Sequence, residues 1–368
     1  MTNSRNVLFV HSSNEMYGAD RMLLRVLAAL PEGVKPTVWL PDDTSSAANS
    51  LSTHLTKAGI GYEVRAMPVL RRKYLNAPGL ARLFKGMIAG TFALRKMAPD
   101  AVFCMTSAVL TFAPISRLAG VKSVVLYNQE IWTDRESWIL GILARACTNA
   151  VAISDASLKS LRGPIANRAV TIANGVPDRD PAYGPIVDRS GPVRFFIGSR
   201  WNSWKGHETL LEAWDSNVAP GLLVIAGSAP PLGQGVDVEG LVEALKHPGS
   251  VSVVGETDDV TKHIDYADFV IIPSDAPEPF GLLAIEAFAR ARPVIASDAG
   301  GLARIVQHGH TGLKFPSRNA SELRLLLQTE ATRERAIRMG REARADYEES
   351  YSSEKFRVRF VEFWSTLF

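Results

Sequence analysis

Two glutamates eight residues apart, Glu278 and Glu286, are the first candidates for chemistry in this chain. Glu278 lies between two prolines, and Gly281 follows at the point where apolar residues take up helical spacing. The unpaired N–H groups at a helix start favour an anion such as phosphate, and glycine has no side chain to keep that anion away. In this setting Glu278 could accept hydrogen bonds from sugar hydroxyls, and Glu286 could bind a ribose diol. Taken singly, each is more simply explained as a helix-end or surface charge.

A pair of cations, Arg200 and Lys205, follows a short apolar run at residues 195–198. Gly206 then permits a turn, and a helical pattern begins at His207. Two cations at the exit of a parallel strand can hold a diphosphate, arginine through its bidentate fork and lysine as a point charge. A basic surface loop would look the same in isolation. The glutamate pair downstream favours the diphosphate interpretation.

Short apolar runs separated by helical patterns are the elements that must position these residues. Because the runs do not alternate with polar residues, they predict parallel strands covered on both faces, as in Rossmann-like sheets that bind ligands at the carboxyl ends of their strands. At 368 residues the chain is long enough for two such domains. The predicted strands are residues 7–10, 37–40, 62–64, 101–105, 123–127, 151–154, 195–198, 222–226, 251–254, 269–272 and 294–297.

The segment EPFGLLAIE at residues 278–286, with Arg200 and Lys205 upstream, resembles the E-x7-E signature and the phosphate clamp of family 4 glycosyltransferases, which have the GT-B fold. The resemblance covers the second half of the chain with several ordered motifs and the first half more loosely. It implies a retaining glycosyltransferase that moves a sugar from a nucleotide-diphosphate donor to a lipid-linked, polysaccharide or other glycan acceptor. It also implies that neither a metal nor another cofactor is needed.

The same resemblance assigns roles to individual residues. Arg200 and Lys205 would stabilise the leaving diphosphate and Glu278 would bind the sugar, so these three are the predicted catalytic residues. The predicted donor-binding residues are Gly18, Gly227, the amides of Phe280, Gly281 and Leu282, and, at the ribose, Glu286.

The implied GT-B architecture has two Rossmann-like domains whose parallel sheets face each other across a cleft. We expect an acceptor-binding domain over residues 1–176 and a nucleotide-sugar-binding domain over residues 192–353. Residues 177–191 between them are dense in Gly, Pro and Asp, which is typical of a linker. A final helix, residues 354–368, is expected to cross back to the first domain.

The first domain departs from the family in two loops. Only Gly18 of the usual glycine pair is present, and Tyr17 takes the other place. Many relatives have a histidine where this chain has Asn128 or Gln129, and either amide can hydrogen-bond a sugar hydroxyl but cannot titrate. Glu130 could supply a charge there or be a plain surface residue. The departure keeps open two alternatives: a non-catalytic nucleotide-sugar-binding subunit of a transferase complex, and a GT-B nucleotide-sugar epimerase.

Residues 65–97 contain Arg and Lys but neither Asp nor Glu. The run combines a basic loop with an apolar and basic helical pattern, which attracts anionic lipid headgroups, each nearby cation contributing roughly 1 kcal/mol. The alternative is a helix that packs its apolar residues on the sheet and solvates its charges. The sequence thus predicts contact of residues 65–97 with an anionic membrane surface or an anionic acceptor.

Composition limits the remaining possibilities. The formal charge of +3 is too small to imply nucleic acid, and no nucleic-acid-reading motif is present. Cys104 and Cys147 lie in apolar segments, which is typical of buried free thiols in a reducing compartment. The apolar run near the N-terminus is too short for a signal peptide or a membrane span. We therefore expect a cytoplasmic enzyme of polysaccharide biosynthesis, peripheral on the inner face of the plasma membrane.

Overall fold

The chain forms two compact units. The first unit comprises Met1–Asn174 together with Phe356–Phe368, and the second unit comprises Gly175–Lys355. The computed structural model describes residues 4–44, 49–74, 76–178, 184–230, 235–257 and 259–368. Leu75 and the side chain of Arg72, both in the basic run, lie outside the described residues, as do residues 179–183 of the expected linker.

The first unit is built on an all-parallel sheet in the order β3-β2-β1-β4-β5-β6-β7. Its inner strands are mostly apolar and mostly buried because helices cover both faces. The strands are β1 (Arg5–Val10), β2 (Val34–Pro41), β3 (Gly61–Arg65), β4 (Ala101–Cys104), β5 (Ser123–Asn128), β6 (Asn149–Ala152) and β7 (Ala169–Thr171). The helices are α1 (Gly18–Ala28), α2 (Leu51–Lys57), α3 (Ala77–Met97), α4 (Phe112–Leu118), α5 (Asp134–Ala144) and α6 (Asp155–Ser160).

The second unit has a parallel sheet in the order β10-β9-β8-β11-β12-β13. Its strands are β8 (Arg194–Gly198), β9 (Leu222–Ala226), β10 (Val251–Gly255), β11 (Phe269–Ile272), β12 (Val294–Ser297) and β13 (Gly312–Phe315). Its helices are α7 (His207–Trp214), α8 (Val238–Glu243), α9 (Thr261–Tyr266), α10 (Leu282–Ala289), α11 (Leu302–Ile305), α12 (Ala320–Thr329) and α13 (Arg333–Asp346), followed by a π-helical turn (Tyr347–Tyr351). The two parallel sheets confirm the predicted α/β architecture, although the prediction lacks β7 and β13.

The last helix, α14 (Ser353–Ser365), returns to the first unit. The Trp364 ring stacks on Phe103 of β4 at 6.0 Å between centroids, and Phe360 lies 6.4 Å from the same ring. Phe103 also stacks on Phe9 of β1 at 4.9 Å. Ser123 Oγ donates a hydrogen bond to the Leu367 carbonyl at 2.8 Å. The predicted return of the final helix is confirmed, and its aromatic side chains complete one face of the first sheet.

The described part of the expected linker belongs to the second unit. Ile186 is buried in the core of that unit. Arg292 Nη1 donates to the Gly184 carbonyl at 2.8 Å, and Arg189 pairs with Asp268 at 3.0 Å. Residues 184–189 are therefore held on the second unit by burial and charge.

Helix α3 packs on the first unit through two glycines and a few larger apolar residues. Gly86, Gly90 and Leu94 are buried, and a Cβ added at Gly90 would lie 2.9 Å from Ile115 Cδ1 of α4. Leu94 is part of the first core and Met87 packs against it, whereas four other large apolar side chains are between 46% and 66% exposed: Leu80, Phe84, Ile88 and Phe92. The alternative in which α3 buries its large apolar residues on the sheet is therefore wrong for these positions. Among the described residues, no helix has the combined length and apolar character needed to cross a bilayer.

We expect Phe103→Ala to destabilise the first unit by about 3–5 kcal/mol, because it removes the ring on which Phe9, Phe360 and Trp364 pack. Phe84→Ala, the same substitution at an exposed ring, should change stability by no more than about 0.5 kcal/mol. Urea unfolding measures both changes, and hydrogen exchange in β1 and β4 assigns them to the first unit. Equal effects of the two substitutions would contradict this packing.

Candidate functional site

The loops that follow β8 and β11 meet at the carboxyl edge of the second sheet. Lys205 Nζ donates to Glu278 Oε1 at 2.6 Å, and Ser274 Oγ donates to the same oxygen at 2.6 Å. Glu278 is buried and Lys205 is mostly covered. Charge-assisted hydrogen bonds of this length are among the strongest in proteins. The structure thus brings together two of the three predicted catalytic side chains.

Close backbone packing holds these two loops together. The amide of Asp275 donates to the Trp204 carbonyl at 2.8 Å, and Thr209 Oγ1 donates to the Asp275 carboxylate at 2.8 Å. Gly206 has a φ of +75°, and a Cβ there would overlap the carbonyl oxygen of Pro273. Glycine is therefore required at position 206 for the loop to carry Lys205 to Glu278.

The loop after β12 holds the main chain of Glu278 in place. The amide of Gly301 donates to the Glu278 carbonyl at 2.7 Å, and Glu278 and Gly300 form a parallel bridge. Gly300 has a φ of +61°, and a Cβ there would overlap the Glu278 backbone. The main chain on both sides of the carboxylate is thus fixed before any ligand binds.

Helix α10 begins four residues after Glu278. Gly281 precedes the helix with a φ of +107°, and a Cβ there would overlap Leu302. Because Gly281 has no side chain to accept from the first-turn amides, these N–H groups are suited to a ligand. The buried Phe280 ring packs edge-on against Tyr351 at 6.3 Å, and Glu286 lies half-buried one turn into the helix.

Arg200 and Gly227 lie at the same edge of the sheet. Arg200 follows β8 and is half-buried. Gly227 follows the neighbouring strand β9, donates to the Gly255 carbonyl at 2.7 Å and has a φ of +133°. A Cβ at Gly227 would overlap the Ser199 carbonyl, so this loop packs directly against the one that contains Arg200. The predicted residues of the second unit therefore all follow the carboxyl ends of adjacent strands.

His207, the first residue of α7, is fully buried beside this edge. Its Nε2 lies 3.4 Å from Ser199 Oγ. Burial lowers the pKa of His207 to about 4, and the positive charge of Lys205 acts in the same direction. His207 is therefore neutral at neutral pH and adds no charge beside the cationic loop.

In the first unit, the amides at the end of β5 are used inside the protein. Asn128 is fully buried, and its Nδ2 donates to the carbonyls of Glu130 and Ser157 at 3.0 and 3.3 Å. Gln129 Nε2 donates to the Met105 carbonyl at 2.7 Å. These contacts give both side chains a role in fixing the loop.

The Glu130 carboxylate, by contrast, is half-buried at the carboxyl edge of the first sheet. Burial raises its pKa above the ordinary value, although Ser107 opposes the shift by donating its hydroxyl to Oε2 at 2.8 Å. Gly18, the other predicted residue of this unit, is exposed and begins α1.

Sequence reasoning missed a buried polar cluster at the end of β1. His11 Nε2 lies 3.0 Å from Asp20 Oδ1, and Ser13 Oγ donates to the same oxygen at 2.5 Å. Burial alone would raise the pKa of Asp20, but hydrogen bonds with His11 and Ser13 outweigh it and hold the pKa below its usual value. The amide of Tyr17 donates to the other oxygen of Asp20 at 3.1 Å. The cluster closes the loop that precedes Gly18, and its signal in the sequence is a histidine directly after an apolar strand.

Part of the basic run is neutralised by acids from outside it. Arg71, Lys73 and Tyr74 converge on Asp43 at 2.8, 3.0 and 2.6 Å. Arg82 pairs with Asp42 at 2.6 Å. Burial opposes these contacts, but hydrogen bonds from Tyr74, Lys73 and Arg71 lower the pKa of Asp43 to about 2. The lack of acids within residues 65–97 therefore does not leave these cations unpaired.

Acidification should destabilise the second unit through His207. The pKa of His207 is about 4 in the folded state and an ordinary 6.5 in the unfolded state. Between these two pH values the unfolded chain is therefore protonated at His207 while the folded chain is not. The contribution of neutral His207 to the free energy of unfolding is complete above pH 6.5. It is lost as the pH falls towards 4, by about 3 kcal/mol in all. Unfolding free energies between about pH 7.5 and pH 4.5 should fall less steeply in His207→Gln than in the wild type. The control His310→Gln, at an exposed histidine, should keep the wild-type slope, and a wild-type slope in His207→Gln would refute the assignment.

Residues 191–328 match a family model described as Glycosyl transferases group 1. The chain is 28% identical over 213 residues to phosphatidyl-myo-inositol mannosyltransferase of Mycobacterium leprae, covering 54% of this chain and 54% of that protein. It is 29% identical over 240 residues to glycogen synthase of Mycobacterium tuberculosis, covering 61% of this chain and 54% of that protein. The chain thus spans about half the length of the curated relatives it matches.

The fold is also that of solved glycosyltransferase structures. Anabaena HepE in complex with UDP-glucose superposes with a TM-score of 0.81 at 21% identity, covering 99% of this chain and 100% of that one. The matched residues 191–328 contain Arg200, Lys205, Glu278 and Glu286. The chain therefore has the GT-B fold, and its residues 191–328 match the group 1 glycosyl transferases.

Proposed function

We propose that this protein is a retaining glycosyltransferase that moves a sugar from a nucleotide-diphosphate donor to a lipid-linked, polysaccharide or other glycan acceptor. The observation that carries the proposal is the 2.6 Å hydrogen bond from Lys205 to Glu278. Glu278 lies shortly before Gly281, the N-cap residue of α10. A cation, a carboxylate and the first amides of a helix, all at one edge of the sheet, can together hold a sugar diphosphate. The family match over residues 191–328 supports the same conclusion.

In the proposed reaction, negative charge accumulates on the leaving diphosphate as the glycosidic bond breaks. Arg200, Lys205 and the first amides of α10 stabilise that charge, so the reaction uses no metal and no other cofactor. Lys205 then divides its hydrogen bonds between Glu278 and a phosphate oxygen. Glu278 accepts from the sugar hydroxyls, and Glu286 binds the ribose.

The transferred sugar passes through an oxocarbenium-like transition state. The leaving phosphate oxygen takes the proton of the acceptor hydroxyl as the new glycosidic bond forms on the same face, so that no dedicated base is required. The first unit is proposed to bind the acceptor. Glu130 is its candidate polar group, since the Asn128 and Gln129 amides hold the loop itself.

The names of the relatives suggest which ligands to test first. The Anabaena HepE structure contains UDP-glucose, and the Mycobacterium leprae relative is named for a phosphatidylinositol acceptor. We propose UDP- or GDP-linked hexoses as donors. We also propose a lipid-linked acceptor of polysaccharide biosynthesis, reached by a cytoplasmic protein at the inner face of the plasma membrane.

A donor screen tests the class of reaction. Thermal shift with UDP- and GDP-sugars should show stabilisation by one nucleotide sugar, since ligand binding to the folded state raises its stability. Incubation with that donor should then release nucleoside diphosphate slowly, by hydrolysis. Binding without turnover, with every acceptor tried, would favour the non-catalytic subunit. Interconversion of the free nucleotide sugar without an acceptor would favour the epimerase.

Glu278→Ala should lower turnover by about 100-fold or more with a smaller loss of donor affinity, because the carboxylate acts most on the transition state. Lys205→Ala should weaken both turnover and affinity by about 10-fold or more, because the lysine also binds the ground-state diphosphate. Arg335→Ala breaks the 2.8 Å ion pair with Glu330 in the same unit and serves as the control, with wild-type kinetics. Wild-type rates in both Lys205→Ala and Glu278→Ala would show that the site is misplaced.

A further inference from the structure

The outer side of α3 is a continuous apolar ridge. Leu80, Phe84, Ile88 and Phe92 recur every fourth residue, so they lie on one side of the helix, and all four are exposed. The inner side packs through Gly86 and Gly90, where added Cβ atoms would lie 3.0 Å from Pro68 N and 2.9 Å from Ile115 Cδ1. Four large apolar side chains are thus turned outward, in addition to the apolar residues such as Leu94 that α3 buries, so the helix has an apolar surface on both sides.

The apolar surface continues across the neighbouring helices. Helix α3 packs on α4, and Arg95 Nη2 donates to the carbonyl of Leu118, an exposed residue that ends α4. Helix α4 packs in turn on α5, where Trp138 is 72% exposed and Ile139 and Ile142 are also exposed. Single exposed apolar residues are common, but a contiguous group of large ones marks an interaction surface.

The charges around this surface are predominantly positive. Exposed cations on α3, α4 and α5 are Lys85, Arg95, Lys96, Arg117 and Arg135. The acids on these helices, Asp134 and Glu136, are both in the first turn of α5. Asp134 pairs with Arg162, and Glu136 accepts from the Thr133 amide at 2.9 Å. Apolar side chains bordered by cations are complementary to an anionic lipid surface.

We infer that the outer side of α3, together with Trp138 of α5, docks on an anionic lipid bilayer. Phe84, Ile88 and Phe92 enter the boundary between headgroups and acyl chains, while Lys85 and Lys96 contact lipid phosphates. The apolar ridge, more than the basic loop, drives the contact, because Asp42 and Asp43 already neutralise part of that loop. A symmetric pairing of two copies through this surface would bring the cations of both copies together, which disfavours self-association.

The inference rests on the proposed function in one respect, since a docked transferase would act on a lipid-linked acceptor. The test is co-sedimentation of the full chain with vesicles of phosphatidylcholine alone and with vesicles that also contain about 30% phosphatidylglycerol. Basic amphipathic helices bind the anionic vesicles more tightly than the neutral ones. The wild type should bind the anionic vesicles. Phe84→Ser/Ile88→Ser/Phe92→Ser should bind them about 30-fold more weakly or worse. Lys85→Gln/Lys96→Gln should lose about 10-fold and most of the preference for anionic vesicles.

The control is Val187→Ser/Val218→Ser/Leu325→Ser, which removes three exposed apolar residues of the second unit and should bind as the wild type does. Quenching of tryptophan fluorescence by brominated lipid should fall in Trp138→Phe. Wild-type vesicle binding by the α3 triple variant, or no binding by the wild type, would overturn the inference. If the wild type is a dimer that does not bind vesicles, and the triple variant is a monomer, the surface binds a second copy of the chain. That result would also overturn the inference. Thermal shift with the donor is measured on every variant, so that a wrong function (no donor binding) is distinguished from a wrong docking surface.

Discussion

An ion pair held largely out of solvent, between Lys205 and Glu278, is the interaction around which the loops of the second unit are arranged. Charges removed from water are tolerated only when they are paired and hydrogen-bonded, and such a pair contributes little more to stability than apolar residues would. The loops approach closely enough to form it because Gly206 and Gly300 allow backbone contact on either side of Glu278. Keeping two charges buried at this edge costs desolvation free energy, and under the proposed function the charged donor is the reason that they are kept.

Much of the second unit could be predicted from the sequence because the patterns that define its strands and helix starts are local. Apolar runs at β8, β9, β11 and β12 and the glycine before α10 each act within a few residues of the chain. Loops that follow adjacent parallel strands lie at one edge of a sheet, so a shared site for Lys205 and Glu278 could be expected, but their direct ion pair was not predicted. Strands β7 and β13 escaped prediction because three or four residues at a sheet edge, with polar or glycine members, give too short a pattern.

Several features of the first unit could not be predicted because they depend on tertiary contacts of the residues involved. Asn128 looked suited to a ligand, but Ser157 and Glu130 take its amide hydrogens. The basic run looked unneutralised, but Asp43 lies across it in space. The orientation of α3 depends on close contacts with Pro68 and Ile115, which leave room only for glycine at positions 86 and 90. A sequence window records which residues are apolar, but only tertiary packing determines which of them are covered.

The return of α14 to the first unit has a consequence for how the protein is made. Phe103 lies near the middle of the first sheet, yet two of its aromatic neighbours, Phe360 and Trp364, are among the last residues of the chain. During synthesis the ribosome therefore releases most of the first unit long before the side chains that seal one face of its sheet. The second unit is complete in sequence by Lys355 and can fold in the meantime. Until α14 is made, the Phe103 ring lacks these two partners, so one face of the nascent first sheet stays incompletely covered.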